Sequence, residues 1–150
     1  MVENTGNTQS NSESVQEVAL KYQANEENAF TMVNRAQSGL HATAFYDLIK
    51  ISGLATEELA GLLDLSYKTI QRYQKDDKKL NAQQSERLLK MIALYQKAEE
   101  VFGDLKSFNR WLRKPSVGLG NQIPFSFLHT SGGIDLIREE LLRIEHGALA

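Results

Sequence analysis

The chemistry this chain shows most directly lies in one short stretch, at Tyr67, Lys68, Gln71, Arg72 and Lys75. At helical spacing these five fall to the outside of a segment whose Ile70 and Tyr73 face inward. The selection suits the major groove of DNA. The Arg72 guanidinium fits both acceptors of a guanine edge, and the Gln71 amide fits adenine. Lys68 and Tyr67 fit phosphates. Ser66 stands where an N-cap belongs, and the free amides behind it offer a further phosphate site. Asp76 and Asp77 follow at once and weaken the local positive charge, which Lys78 and Lys79 partly restore. The plainer alternative is an exposed helix with scattered charges. The gathering of basic and amide side chains on one face favours DNA.

Catalytic chemistry finds little support. His41, His129 and His146 lie in separate segments, and none has an Asp, Glu or Ser at triad spacing. There is no His-x-x-x-His pair, and Gly118-Leu119-Gly120 is a glycine pair without a preceding strand. The chain has no cysteine, which excludes disulfides, thiolate metal sites and a cysteine nucleophile and allows a reducing cytoplasm. The expectation is a cytoplasmic protein that is not an enzyme and uses no cofactor or metal. A net charge of −2 argues against indiscriminate nucleic-acid binding, so DNA contact must come from a local patch. No apolar run is long enough for a membrane helix, and no basic and apolar leader opens the sequence.

The elements that position the DNA-reading residues can be read outward from them. Residues 56–63 form a preceding helix with Glu57 and Glu58 in its first turn and Leu59, Ala60 and Leu63 inward. A tight connection through Asp64 and Leu65 then reaches Ser66, and the small Ala60 lets the two helices approach. This is a helix-turn-helix pattern. Before it, residues 42–51 carry Phe45, Leu48 and Ile49 on one face, and Ser52-Gly53 makes a turn. Phe30, Val33, Ala36 and Leu40 repeat at helical spacing up to a stop at Gly39, although a short strand would also suit this stretch. Residues 1–14 hold almost nothing to bury and are expected to be disordered. Val15, Val18, Ala19 and Tyr22 have helical spacing but need a partner surface, so docking and fraying are equally compatible with them. After the reading helix, Asn81 and Gln84 form a capping-box variant that starts a long helix with Leu88, Ile92, Tyr95 and Phe102 inward.

The last third of the chain is dense in helix punctuation. Gly103 and Asp104 end one helix and cap the next, which holds Leu105, Phe108, Trp111 and Leu112, with Trp111 as a core anchor. Pro115 stops it, residues 118–120 make a loop, and Pro124 opens a short turn with Phe125, Phe127 and Leu128. Thr130 caps a final helix with Ile134, Ile137, Leu141 and Ile144 at helical spacing, followed by the small apolar tail 147–150.

Phe102, Gly103, Trp111-Leu112, Pro115, Leu119-Gly120, Pro124, Leu128, Thr130, Gly133 and the ending Arg143-Ile144-Glu145-His146-Gly147 together resemble the toxin-binding domain of the Xre/MbcA/ParS-type antitoxins, partners of RES-domain toxins. The resemblance covers roughly residues 39–150 and departs from the family at 129–132. There His129, Ser131 and Gly132 replace acidic residues while Thr130 keeps the cap. The resemblance implies an all-α chain, an Xre-like helix-turn-helix bundle followed by a small helical toxin-binding domain. The expected division is 1–25 as a disordered or weakly helical segment, 26–103 as the DNA-binding domain with its connecting helix, and 104–150 as the toxin-binding domain. It further implies an antitoxin that blocks the active site of a NAD-consuming RES-domain toxin and represses its own operon. The partners would be that toxin, operator DNA, a second copy in a homodimer, and a higher-order toxin–antitoxin complex. The implied toxin-binding residues are Arg138, Leu141, Arg143, Glu145, His146, Leu149 and Ala150. Glu145 and the terminal carboxylate would meet phosphate-binding arginines of the toxin, Leu149 would fill apolar space and Arg143 would pair at the rim. The alternative for residues 143–147 is a plain helix end. The alternative for the chain is a free-standing helix-turn-helix regulator with a ligand- or protein-sensing C-terminal domain.

Overall fold

Asn81 and Gln84 cap each other at the start of the longest helix: the Gln84 amide donates to Asn81 Oδ1 at 2.8 Å, and the Asn81 amide donates to Gln84 Oε1 at 3.1 Å. In the computed structural model, which describes residues 13–25 and 28–147, this helix is the axis of the fold. The elements are α1 (Val15–Tyr22), α2 (Ala29–Ser38), α3 (Thr43–Ser52), α4 (Thr56–Leu62), α5 (Tyr67–Lys75), α6 (Ala82–Phe102) and α7 (Leu105–Leu112), then two 3-10 turns (Val117–Leu119 and Pro124–Phe127) and α8 (Ser131–Glu145). The described residues are all-α, with no strand beyond two isolated bridges.

Helix α6 buries Leu88, Leu89, Met91, Ile92, Leu94, Tyr95 and Ala98, apolar residues on nearly every side, because α1, α2, α3, α7 and α8 all pack on it. Gly103 ends it at φ +81°, and the Asp104 carboxylate at once accepts the Ser107 amide at 2.7 Å to start α7. Phe108 is fully buried, edge-on to Tyr95 at 5.1 Å and against Phe102 and Trp111. Trp111, expected as a core anchor, is half-buried at the rim of this cluster.

Of residues 1–14, expected to be disordered, 1–12 lie outside the described residues, whereas Ser14 is held as the cap of the first helix. Helix α1 docks on the body: Ser14 caps it, Val15, Val18, Ala19 and Tyr22 are buried, and they pack on α3 and α6. A buried acid fixes the seat, since Asp47 accepts from the Tyr22 hydroxyl and from Lys21 Nζ at 3.0 Å.

The apolar face expected on α2 is corrected. Met32 and Ala36 are buried, whereas Phe30 and Val33 are 79% and 50% exposed. Met32 and Ala36, one helical turn apart, form the face that α2 lays on α6, so Met32 takes the place expected of Phe30 and Val33, while Ala36 and, beyond the helix end, Leu40 are buried as expected. Gly39 ends the helix at φ +81°, where a Cβ would sit 2.7 Å from the Leu80 carbonyl oxygen. Leu40 is then held by the Ser85 hydroxyl and by the Leu80 amide, which ties the entry of α3 to the start of α6.

Candidate functional site

Helix α5 is short, and one residue anchors it. Ile70 is fully buried, and Ser66 caps the helix by accepting the Thr69 amide at 3.1 Å. The turn before it needs a left-handed residue, supplied by Asp64 at φ +58°, and the Leu65 amide closes it onto the Ala60 carbonyl at 2.9 Å. Ala60 is buried between the helices, so the helix-turn-helix closes at the small residue that the sequence marked.

Lys68, Gln71, Arg72 and Lys75 are exposed on α5. Tyr67, expected on the same outward face, is half-buried instead, with its ring 6.3 Å from Phe45 in a stacked arrangement and 6.4 Å from Tyr46. The first turn of α5 lies over α3, and an aromatic side chain gains more from that wedge than from water. Burial, with the hydrogen bond to Tyr67 second, pushes the Tyr46 hydroxyl up to about 12. Sequence reasoning missed the part played by Tyr73, whose ring holds Lys78 Nζ at 4.7 Å and the Arg72 guanidinium at 6.0 Å. Lys78 joins the basic face because the chain folds back after α5, its amide bonding the Tyr73 carbonyl at 2.9 Å. Asp77, the acid that weakened the patch on paper, lies 3.0 Å from His41 Nδ1.

Two clamps bracket α4 and join the helix-turn-helix to the C-terminal half. At its start, Glu58 takes both guanidinium nitrogens of Arg113, at 2.6 and 3.0 Å. At its end, Arg87 donates to the Leu62 carbonyl at 2.8 Å, to Asp64 at 3.2 Å and to the His129 carbonyl at 3.0 Å. Asn109 adds a third tie, donating to the Ser52 carbonyl at 2.7 Å while accepting from Tyr95 at 2.8 Å. Each joins residues 14 or more positions apart, a separation that periodicity does not report.

The fork from Arg113 holds the Glu58 carboxyl below the usual glutamate range, which makes the first clamp acid-sensitive. With the folded value below the unfolded one, the stabilisation is present above the ordinary value of ~4.3 and is lost as pH falls through the folded value. Glu58→Gln is therefore expected to flatten the acid limb of a melting curve measured from about pH 5 to pH 3. An unchanged acid limb would remove this pair from the account.

In the C-terminal half the expected partner-binding residues divide. Leu141 is fully buried with Ile134 and Ile137 and takes its place in the core, which corrects its assignment to an outer surface. Its spacing from Ile134 and Ile137 puts it on the stripe facing α6. Arg143 is about half exposed and pairs with Glu140, whose side chain is 2% exposed, so this arginine already serves a buried acid of its own chain. Glu145 sits in the last turn of α8 with Lys97 Nζ at 2.8 Å, and that ammonium holds its carboxyl below the usual range. His146 is the exposed C-cap, and Gly147 turns the chain away at φ +84°. Arg138 is half-buried and lines a groove with Met32, Val33, Glu86 and Asp135. Leu149 and Ala150 lie outside the described residues.

Among the described residues no helix is long and apolar enough to cross a membrane, and no group of His, Cys, Asp and Glu is arranged to hold a metal ion. The family model for the antitoxin Xre-like helix-turn-helix domain matches residues 32–93. The model for the antitoxin Xre/MbcA/ParS C-terminal toxin-binding domain matches residues 97–147. A relative in Pseudomonas putida, antitoxin Xre, is 29% identical over 118 residues, covering 79% of this chain and 73% of its own length.

Proposed function

Because this chain belongs to the Xre/MbcA/ParS-type antitoxins, we propose that it neutralises a RES-domain, NAD-consuming toxin and represses its own operon. It is a regulatory protein with a DNA-binding module and a toxin-binding module. The observation that carries the proposal is their union on one helix: α6 serves as core for both matched segments, and the Glu58–Arg113 and Arg87 clamps join them. A free-standing regulator has no need of a toxin-binding domain built in this way.

In this reading Arg72 and Gln71 meet base edges, while Lys68, Lys75 and the free amides behind Ser66 meet phosphates. Tyr67 supports the helix from beneath. The reading protein acts in the cytoplasm as a homodimer on a two-fold operator and joins a higher-order complex with toxin. The DNA-reading unit ends at Gly103, and the toxin-binding unit begins at Asp104. Arg138, Arg143, Glu145, His146 and the segment beyond Gly147, with Leu149 and Ala150, face the toxin. Glu145 exchanges Lys97 for a toxin arginine at low cost, because exposed ion pairs contribute little.

The test is co-expression with the neighbouring reading frame. The two proteins are expected to co-purify, and the complex is expected to consume no NAD. In gel-shift titrations at two salt concentrations, Arg72→Ala should cost ~1–3 kcal/mol of operator affinity and relax sequence preference. Lys68→Ala should weaken binding to all sequences and lower the salt slope by about one. Unchanged affinity in both variants would remove α5 from the DNA, and failure to co-purify would remove the toxin.

A further inference from the structure

The strongest unassigned feature is the loop between α7 and the second 3-10 turn. It is short and firmly held. The Ser116 amide donates to the Gln122 carbonyl at 3.0 Å, and the Asn121 amide returns to the Ser116 carbonyl at 2.9 Å. Gly120 and Asn121 turn the chain through consecutive left-handed conformations, at φ +64° and +66°. Leu119 is buried beneath, and Gly118 rests on the buried Glu140, whose Cδ would lie 2.8 Å from an added Cβ. Arg143 closes over that carboxylate from outside.

This well-pinned loop nevertheless turns two large apolar side chains to solvent, Val117 at 74% and Ile123 at 44% exposed. Large exposed hydrophobics among the described residues are Leu20, Phe30, Val33, Val117 and Ile123. Of these, Val117 and Ile123 alone fall within residues 97–147, the segment that matches the toxin-binding domain. Charge narrows the partner further. Between Asp104 and Asp135 the sequence contains no acid, while it carries Lys106, Arg110, Arg113 and Lys114. Arg113 is committed to Glu58, and Lys114 stands exposed three residues before Val117.

We propose that Val117 and Ile123 on this loop are the apolar anchors by which the antitoxin grips its toxin, entering an apolar depression with an acidic rim that receives Lys114. The inference rests on the antitoxin reading above and names the face that supplies affinity, distinct from the segment after Glu145 that obstructs the toxin's cleft. The loop is suited to this because its backbone is already ordered. Anchors on a pinned loop lose little conformational freedom on binding, so most of their burial appears as affinity.

The experiment measures affinity by titration calorimetry between the full chain and the toxin that co-purifies with it. The double variant Val117→Ser, Ile123→Ser is expected to bind at least about 30-fold more weakly, as anchor side chains do, with operator binding and melting temperature unchanged. Phe30→Ser, an equally exposed apolar residue outside the matched segment, is expected to leave toxin affinity unchanged. Lys114→Glu is expected to slow association, most at low salt. A double variant that binds within about 3-fold of the unmodified chain overturns the anchor assignment while leaving the antitoxin reading intact. Equal losses in the double variant and in Phe30→Ser also overturn it. If the unmodified chain binds no toxin, the antitoxin reading fails and the anchors fail with it.

Discussion

Truncation of the chain before Glu145 is expected to preserve folding and operator binding while abolishing the protection of cells that express the toxin. Neutralisation has to keep the toxin occupied at cellular concentrations, which calls for nanomolar affinity, ~−12 kcal/mol. A domain face with apolar anchors supplies affinity, but affinity alone leaves a substrate cleft open. In the proposed reading obstruction is a separate task and falls to residues 145–150. The fold has little stake in the side chains of Glu145 and His146. Glu145 and His146 are exposed, and the Lys97–Glu145 pair on the surface contributes little to stability. The measurements are circular dichroism, gel shift and growth rescue, with Glu145→Gln as the companion variant. Rescue by the truncated chain at the level of the full one would show that the domain face suffices and that no plug is needed. Loss of folding would show instead that the last turn of α8 is structural.

Gly133→Ala is expected to be the most damaging small change in the C-terminal half, costing about 3 kcal/mol, the upper end of over-packing with the loss of a cap. A Cβ at this position would overlap the Phe127 carbonyl oxygen and lie 2.8 Å from its carbon and 3.0 Å from Thr130 Oγ1. The obstacle is backbone, which cannot rotate away. The first turn of α8 would have to lift from the second 3-10 turn and break the Thr130 cap, now 3.0 Å from the Gly133 amide. Gly132 provides the internal comparison. It shares the same helical turn, yet an added Cβ would meet nothing within 4 Å. Gly132→Ala should therefore stabilise by up to ~1 kcal/mol, through helix propensity and a less flexible unfolded chain. Denaturant melts of the two variants decide the matter: equal midpoints would refute the close-packing account of Gly133.

The sequence was most legible where structure is local. Ser66, Asn81 with Gln84, Asp104 and Thr130 all cap the helices they were expected to cap, because a cap bonds only three residues ahead. The helix stops at Gly39, Gly53, Gly103 and Gly147 are equally local and all have positive φ. Faces were less legible than helices. On α2 two apolar stripes compete, and the choice of Met32 over Phe30 depends on the surface that α6 presents. Tyr67 met the same ambiguity, since a tyrosine at the start of a DNA-facing helix serves equally well above or below it. Leu141 was named for a partner although its spacing with Ile134 and Ile137 already marked it as core. What was not legible at all was the long-range polar wiring. Arg87, Arg113 and Asn109 find partners from 14 to 57 positions away, several of them backbone carbonyls that leave no mark in side-chain pattern.

The shared axis α6 has a consequence in time. Toxin release requires the antitoxin to be lost, and a chain with separable halves could lose one activity and keep the other. Here a cut or local melting in α6 removes the core of both matched segments together, since its buried residues support α2 and α3 on one side and α7 and α8 on the other. Under the function proposed above, the event that frees the toxin would also lift repression of the operon, and the signal to replace the antitoxin would arise in the same instant as the need for it.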